Sequence, residues 1–421
     1  MGDVSLTRPL YGAMVLRDII CGEQVTISSK PGAVSVMFET REVLTYDRGG
    51  RLWALTRDGR TYRRGLNGQV LEKYHAGGTL VRRRLDEAEA AALIDSAAAR
   101  MAALREALAG SAAFRQGVVA PVDSTVPPLE SPDDLIAMLN RAACFDARAD
   151  RRDRAAFAQV YDPVGILPPD QYMAVVLQAT EGCSFNTCTF CDFYRGRRFR
   201  IKAPEEFRVH AQAVRAFLGE SIRLRRSIFL GEANALAVPT ARLEALMQVA
   251  REEIGAWPMY AFLDGLTGSK KTADEYARLG ALGLRRVSIG MESGHDPLLA
   301  FVRKPATAAD VAETVGELKR ASIAVSLIVL IGLGGERFAA GHIADTIALL
   351  NQLPLGAGDI VYMSNLVEHA DAPYAAQARA AGIRPLEPAE LTAQRQTIVA
   401  GLRFGKQGPQ IATYDIHEFV Y

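Results

Sequence analysis

The strongest constraint on the fold is a rhythm that begins at residue 172 and repeats six times: a short apolar run, then a segment with helical periodicity. Runs this uniformly apolar predict parallel strands covered by helices. Six such units suit a partial barrel or an open doubly wound sheet, and both place functional residues where the strands end. The predicted strands are 172–180, 226–231, 257–264, 285–292, 323–332 and 359–365, and the predicted helices are 203–218, 240–254, 272–282, 307–321, 340–352 and 387–402.

The residues before this rhythm have a different pattern. Alternation in "AVSVMFETREVLTY", followed by Asp/Asn-Gly turn signals, predicts a small antiparallel β-rich domain over 1–84. The Ala-rich segment 85–108 and the segment 132–143 predict helices, so that 85–171 is a helical segment with a linker. The barrel-like region is then expected over 172–404, and 405–421 is expected to form a tail packed on it.

Charge and cysteine content narrow the class of protein. The formal net charge is +1, and no apolar stretch reaches the length of a membrane-spanning helix, so neither a membrane span nor a secretory signal is predicted. Residues 41–84 hold eleven Lys/Arg against four Asp/Glu, which indicates a solvated sheet face or a docking surface for an acidic or phosphate-bearing partner. Five cysteines, an odd number, favour a reducing cytoplasm over a disulfide framework.

Three of those five cysteines lie within nine residues. Cys183, Cys188 and Cys191 have the spacing C-x4-C-x2-C and directly follow the first strand of the repeated region. Three thiolates in one loop can hold a soft metal or an iron–sulfur cluster. A structural zinc site usually has four protein ligands, and the nearest histidine to the cluster, His210, is nineteen residues further on. Zinc and buried free thiols remain the alternatives to a cluster with one open iron.

The segment "GCSFNTCTFCDFY" resembles the cysteine motif of the radical S-adenosylmethionine (SAM) superfamily. Most members carry C-x3-C-x-aromatic-C after the first strand of a partial (β/α)6 TIM-like barrel. Here Phe190 occupies the aromatic position, and one extra residue separates the first two cysteines, as in a variant branch. The resemblance covers 172–404 and implies that the fold is such a barrel with an N-terminal β-rich plus helical domain.

Later segments resemble the superfamily's SAM-binding elements in the expected order. "FLGEANAL" is similar to the element that contacts the SAM amino group, and "SIGMESG" is similar to the ribose-binding segment. "VLIGLGGE" resembles the adenine-binding segment, and in "VRKPAT" a cation, Lys304 or Arg303, is expected to meet a carboxylate. The cofactor contacts that the resemblance implies, beside Phe190, are Gly231, Glu232, Asn234, Glu292, Ser293, Lys304, Ile331, Gly332 and Leu333.

The resemblance implies a [4Fe–4S] cluster and SAM as cofactors, with the three cysteines as iron ligands. A one-electron reductant such as flavodoxin or ferredoxin would supply the electron that cleaves SAM to a 5′-deoxyadenosyl radical, which abstracts hydrogen from a small-molecule or peptide-like substrate. Two alternatives stay open. One is radical modification of RNA, bound by the basic β-rich domain, and the other is a non-catalytic iron–sulfur or metal-binding protein.

Substrate contacts are expected at the remaining strand ends, where Asp264, Asn365, Glu368 and His369 lie. The segment "CDFYRGRRFRIK" carries five cations, which indicates a solvated basic loop, an acidic electron donor's docking site or a phosphate anchor. The aromatic C-terminal segment "YDIHEFVY" is expected to tuck into the protein, with Tyr414 or His417 near the barrel mouth.

Overall fold

A computed structural model describes residues 14–20, 22–39, 41–110, 132–268, 270–368 and 372–421. The described residues form two compact units. The N-terminal unit comprises 1–162, 215–225 and 420–421, and the barrel unit comprises 163–214 and 226–419.

The N-terminal unit is built on an antiparallel sheet in which each strand pairs with the next along the chain. Side chains alternate between its faces, as in β3, where Val34, Val36 and Phe38 are buried. The strands are β1 (Met14–Ile20), β2 (Glu23–Ser29), β3 (Ala33–Phe38), β4 (Glu42–Asp47), β5 (Leu52–Arg57), β6 (Arg60–Arg64), β7 (Val70–Ala76) and β8 (Thr79–Arg84).

Three helices follow the sheet: α1 (Glu87–Gly110), α2 (Pro132–Ala143) and α3 (Ala147–Val160). Buried residues of α1 and α2, such as Met101 and Met138, join the apolar sheet face in one core. Helix α3 lies in an arginine-rich segment in which no separate helix was predicted. It begins at the N-cap Asp146, which accepts a hydrogen bond from the Ala149 N–H at 2.7 Å.

Basic residues of this sheet are extensively paired with acids. The buried Glu72 carboxylate accepts hydrogen bonds from Arg60 at 2.6 Å and Arg83 at 2.7 Å. Arg64, also buried, lies 2.6 Å from Asp150 and donates to a second carboxylate of α3. Part of the local basic excess is therefore neutralised inside the unit.

The barrel unit contains the predicted parallel sheet, and the α/β fold class with a partial barrel is confirmed. Across this sheet the strands follow one another in chain order. The six predicted strands are present, and the strand 410–413 adds a seventh that was not predicted. The strands are β9 (Ala174–Gln178), β12 (Ser227–Gly231), β13 (Met259–Leu263), β14 (Leu284–Glu292), β15 (Ala324–Ile331), β16 (Ile360–Asn365) and β17 (Gln410–Thr413).

Helices connect these strands, and a two-stranded ribbon, β10 (Thr180–Glu181) with β11 (Arg200–Ile201), closes the base of the cysteine loop. The predicted helix 340–352 begins earlier, directly after Gly334 in the left-handed region (φ 80°). The helices are α4 (Pro204–Leu218), α5 (Thr240–Glu253), α6 (Gly265–Gly268), α7 (Ala273–Ala281), α8 (Asp296–Phe301), α9 (Ala308–Arg320), α10 (Gly335–Gln352), α11 (Tyr374–Ala380) and α12 (Pro388–Gly401).

The sheet is open between β9 and β17, and apolar side chains fill this side of the barrel. Ile166, which precedes β9, packs in one hydrophobic cluster with Tyr414 and Ile416, which follow β17. The Tyr414 hydroxyl donates a hydrogen bond to the Leu167 carbonyl at 2.6 Å. The barrel interior is therefore lined by residues that flank the sheet as well as by its strands. No helix in the described part of the chain has the length and apolarity to cross a membrane.

Candidate active site

The carboxyl ends of the parallel strands surround a cavity of about 210 Å³. All three cysteines of the loop between β10 and β11 line it. Their thiols are free and partly buried. Side chains from β13, β14, β15 and the segments after β12 and β16 complete the wall. The topology thus brings the cysteine motif and the strand ends together, as the sequence predicts.

The cysteine loop is held by specific hydrogen bonds. The Arg195 guanidinium donates to the carbonyls of Cys191 at 2.9 Å and Cys188 at 3.0 Å. The Thr189 N–H donates to the Val302 carbonyl, and the Thr189 carbonyl accepts from the Tyr374 N–H, both at 3.0 Å. These bonds orient the backbone that carries two of the three thiols.

Burial sets the protonation of the thiols in the absence of a metal. It raises the pKa of Cys191 to about 12 and also raises the pKa of Cys188, which nearby Lys304 opposes. Thiols of this kind become thiolates when they bind a metal, and binding then releases protons.

Glu292 and Lys304 form a buried ion pair beside the thiols. The Lys304 ammonium lies 3.1 Å from the Glu292 carboxylate, and each side chain is 10% exposed. Burial alone would lower the pKa of Lys304, but Glu292, Cys188 and Asp264 together outweigh it and the pKa is raised. Gly290 makes this arrangement feasible, because a Cβ there would collide with the Glu292 carboxylate and lie 3.1 Å from the Lys304 ammonium. The predicted cation–carboxylate contact is present, and Lys304 is the cation.

After β12, the predicted residues have different surroundings. The buried Glu232 carboxylate accepts hydrogen bonds from the Gly182 N–H at 2.6 Å, Gln178 at 2.8 Å and Arg197 at 3.1 Å, and it does not line the cavity. Gly231 lies beside it in the strand, also away from the cavity wall. Asn234 does line the cavity and donates to Ser184 at 2.9 Å.

The other predicted cofactor contacts, apart from Phe190, are not part of the cavity wall. The buried Ser293 hydroxyl is 2.7 Å from Nδ1 of His342 on α10. The Ile331 carbonyl accepts from the Leu366 N–H at 2.8 Å, and the Gly332 N–H donates to Gln394 at 2.7 Å. Leu333 is fully buried in a cluster against which Phe190 packs. Of this group, only Phe190 also lines the cavity.

Two of the predicted substrate residues reach the cavity. Asp264 and Asn365 line it, at the ends of β13 and β16. The Asp264 carboxylate accepts hydrogen bonds from the Thr267 N–H at 2.8 Å and from the Asn234 amide. Glu368 is exposed and is not part of the wall, and His369 lies outside the described residues.

Sequence reasoning missed most of the apolar wall. Phe262 and Ile328 occupy inward positions of β13 and β15, which two-residue alternation cannot identify in strands that are apolar throughout. Tyr194 follows the cysteine motif and is buried in the wall. Tyr414, expected near the barrel mouth, lines the cavity, whereas His417 is exposed and contacts Asp415.

The donor set fits an iron–sulfur cluster better than a single ion. In the described ranges, no three Cys, His, Asp or Glu side chains are arranged to hold one metal ion. A cubane cluster does not require the sulfurs to surround one point, since each thiolate binds a different iron. Three thiols on one loop, facing a largely apolar cavity, meet that requirement.

The fold and this site define a cofactor-dependent barrel enzyme with a three-cysteine centre. Residues 177–347 match the family model of the Radical SAM superfamily. The part of the barrel that carries the cysteine loop is therefore a radical SAM domain. The cofactors of this superfamily are a [4Fe–4S] cluster and SAM.

Solved structures with a similar fold include three enzymes. Methylornithine synthase (PylB) is 13% identical over 63% of this chain and 75% of its own, with a TM-score of 0.40. Coproporphyrinogen III oxidase (HemN) from Escherichia coli is 16% identical over 58% and 55%, with a TM-score of 0.39. The hydrogenase maturase HydG from Carboxydothermus hydrogenoformans is 16% identical over 62% and 61%, with a TM-score of 0.37. No curated protein matches the chain.

Proposed function

We propose that this protein uses Cys183, Cys188 and Cys191 to bind a [4Fe–4S] cluster, cleaves SAM reductively and abstracts hydrogen from a small-molecule or peptide-like substrate. The observation that carries the proposal is the convergence of three thiols from one loop on a cavity at the strand ends. When bound, the cluster and SAM supply a 5′-deoxyadenosyl radical by one-electron cleavage of the sulfonium.

The chain's own residues would orient the reactants and exclude water. Arg195 holds the carbonyls of two ligand cysteines, so the thiols approach the cluster from a set direction. Glu232 acts on the other end of the loop through the Gly182 N–H. We therefore propose Glu232 as a residue that positions the cysteine loop, in addition to the SAM contact that the motif implies.

Lys304, Glu292 and Asn234 are the polar cavity residues best suited to the charged and hydroxyl groups of SAM. A buried ammonium can meet a carboxylate, and a carboxylate can accept ribose hydroxyls. The aromatic residues Phe190 and Tyr194 restrict access of water to the same space. A reductant such as flavodoxin or ferredoxin is the proposed electron donor, and the free thiols support a reducing, cytoplasmic location.

The test is anaerobic reconstitution with iron and sulfide, followed by incubation with SAM and dithionite. We expect one cluster per chain and 5′-deoxyadenosine as a product, measured by mass spectrometry. A protein that binds the cluster without forming 5′-deoxyadenosine would be an iron–sulfur protein without this activity. A protein that takes up neither iron nor sulfide would contradict the ligand assignment.

A further inference from the structure

We infer that the barrel cavity selects a substrate with an apolar body that is neutral or carries an amine, and disfavours carboxylates and phosphates. The inference deepens the proposed function, on which it rests, by assigning a substrate class to the same cavity. Three observations carry it: the apolar wall, the pairing of the cavity's cation with Glu292, and the absence of a described ion pair at the Asp264 carboxylate.

The apolar part of the wall comes from separate parts of the barrel unit. Phe262 and Ile328 project from β13 and β15, and they join one hydrophobic cluster with Ile166, Tyr414 and Ile416. All five also line the cavity. An apolar group that displaces water from this surface gains on the order of 25 cal/mol per Å² of buried area. The wall therefore favours a substrate whose body is a ring or a branched chain.

The described cavity wall contains few groups that could bind an anion. Among the described lining residues, Lys304 is the one cation; its ammonium is paired with Glu292 at 3.1 Å, and the proposed function assigns it to the carboxylate of SAM, so no further cation remains for a substrate anion. A carboxylate or phosphate that entered would lose its hydration and compete with Glu292 for that ammonium. Substrates of this kind are therefore disfavoured.

Unlike the Lys304 ammonium, the Asp264 carboxylate forms no described ion pair. Its carboxylate lines the cavity and accepts hydrogen bonds only from neutral groups, the Thr267 N–H and the Asn234 amide. No basic side chain in the described part of the chain forms an ion pair with it. The Lys304 ammonium interacts with this partly buried carboxylate only at longer range, so the carboxylate can still accept a charge-assisted hydrogen bond from a substrate ammonium or neutral donor. Asn365, exposed at the end of β16, adds an amide for a neutral polar group.

The test compares two probes of nearly equal size and opposite charge, phenethylamine and 3-phenylpropanoate, with 2-phenylethanol as the neutral reference. Binding is measured by calorimetry on anaerobically reconstituted protein with S-adenosylhomocysteine present, so that the cofactor's groups occupy their own contacts. We expect the amine to bind about tenfold more tightly than the acid, or more, with the alcohol between them. Asp264→Asn should abolish this preference, whereas Glu368→Gln, which changes an exposed carboxylate outside the wall, should retain it.

Equal or tighter binding of the acid would overturn the inference, and so would failure of all three probes to bind at millimolar concentration. An unchanged preference in Asp264→Asn would remove Asp264 from it. The wild-type comparison decides the matter even where the variant is unstable. SAM cleavage is measured on the same preparation. If SAM is cleaved but the amine is not preferred, only the inferred substrate class is overturned. If SAM is not cleaved, the proposed function is overturned, whichever probe binds.

Discussion

The two units differ in whether the buried or partly buried charged side chains compared here form ion pairs. In the N-terminal unit, Glu72 and Arg64 are buried in ion pairs that satisfy them completely within the sheet and its helices. In the barrel unit, the Asp264 carboxylate lies at a strand end and faces a cavity without a described ion pair. Antiparallel strands joined by tight turns bring charges against each other, whereas parallel strands bring them to one edge where space for a ligand remains. In the first unit, the ion pairs leave these charges without a role in binding. In the second unit, a carboxylate that forms no ion pair remains available to a ligand.

The largest expected effect is at the thiols. Cys188→Ala should abolish cluster binding and formation of 5′-deoxyadenosine, because a cluster held by three thiolates does not tolerate the loss of one. The loop lies outside the strands, so the far-ultraviolet circular dichroism of the apo protein should not change. The matched control is Cys144→Ala, an exposed free cysteine of the N-terminal unit. Full iron content and activity in Cys188→Ala would show that the thiol is not a ligand.

Breaking one buried ion pair in each unit sharpens the comparison. Arg64→Met removes the closest cation of the buried Asp150 carboxylate, whereas Asp153 keeps its ion pair with Arg51 at 2.7 Å, and the change should cost about 3–5 kcal/mol of unfolding free energy. Iron content of the folded fraction should stay normal. Lys304→Met exposes Glu292 in the cavity instead and should also reduce SAM binding, measured by calorimetry. If Lys304→Met lowers stability but leaves SAM affinity unchanged, then the Lys304–Glu292 pair only stabilises the fold, as the Arg64–Asp150 pair does.

The next effect concerns pH. Burial lowers the pKa of His342 to about 4, so the folded protein binds fewer protons than the unfolded chain between that value and about 6.5. Stability from this group is therefore complete above about pH 6.5 and is lost as pH falls towards 4, by about 3 kcal/mol. His342→Gln should remove this difference in chemical denaturation curves measured at pH 7 and pH 5. An unchanged pH dependence would mean that other groups cause it.

The smallest expected effect is at Arg195. Arg195→Gln removes two hydrogen bonds to partly buried carbonyls of the cysteine loop and a positive charge near the cluster. We expect lower iron content after reconstitution and a lower midpoint potential, with partial recovery in Arg195→Lys. Arg198→Gln is the matched control, because Arg198 is exposed and no described residue pairs with it. Equal potentials in both Gln variants would contradict a positioning role.

The sequence predicted the barrel well because its signals are local. The strand predicted at 285–292 is Leu284–Glu292, since a continuous apolar run marks a buried strand wherever it packs. The helix Ala147–Val160 was missed because its stability comes from contacts distant in sequence, such as the Arg64–Asp150 pair. The strand Gln410–Thr413 was missed because four residues give too little periodicity.

Side-chain direction was the harder part of the site. The motif predicted that Lys304 or Arg303 meets a carboxylate without naming it, and the structure places Lys304 beside Glu292. Glu232 and Ser293 are held by partners that no spacing rule identifies, Gly182 and His342. Likewise, Arg195 and Arg197 in the basic segment contact the cysteine loop and Glu232. A motif fixes which strand end a residue occupies, while tertiary contacts decide whether it faces the cavity.

The apolar closure between β9 and β17 has a consequence for biosynthesis. Leu167 and Tyr414, joined by a hydrogen bond, are separated by 247 positions in the chain. A growing polypeptide therefore presents the cysteines before Tyr414 and its neighbours have been synthesised, and this side of the cavity closes only when they dock. Delivery of iron and sulfide would best follow that final docking event, because a cluster assembled earlier would face solvent and oxygen from the unfinished side.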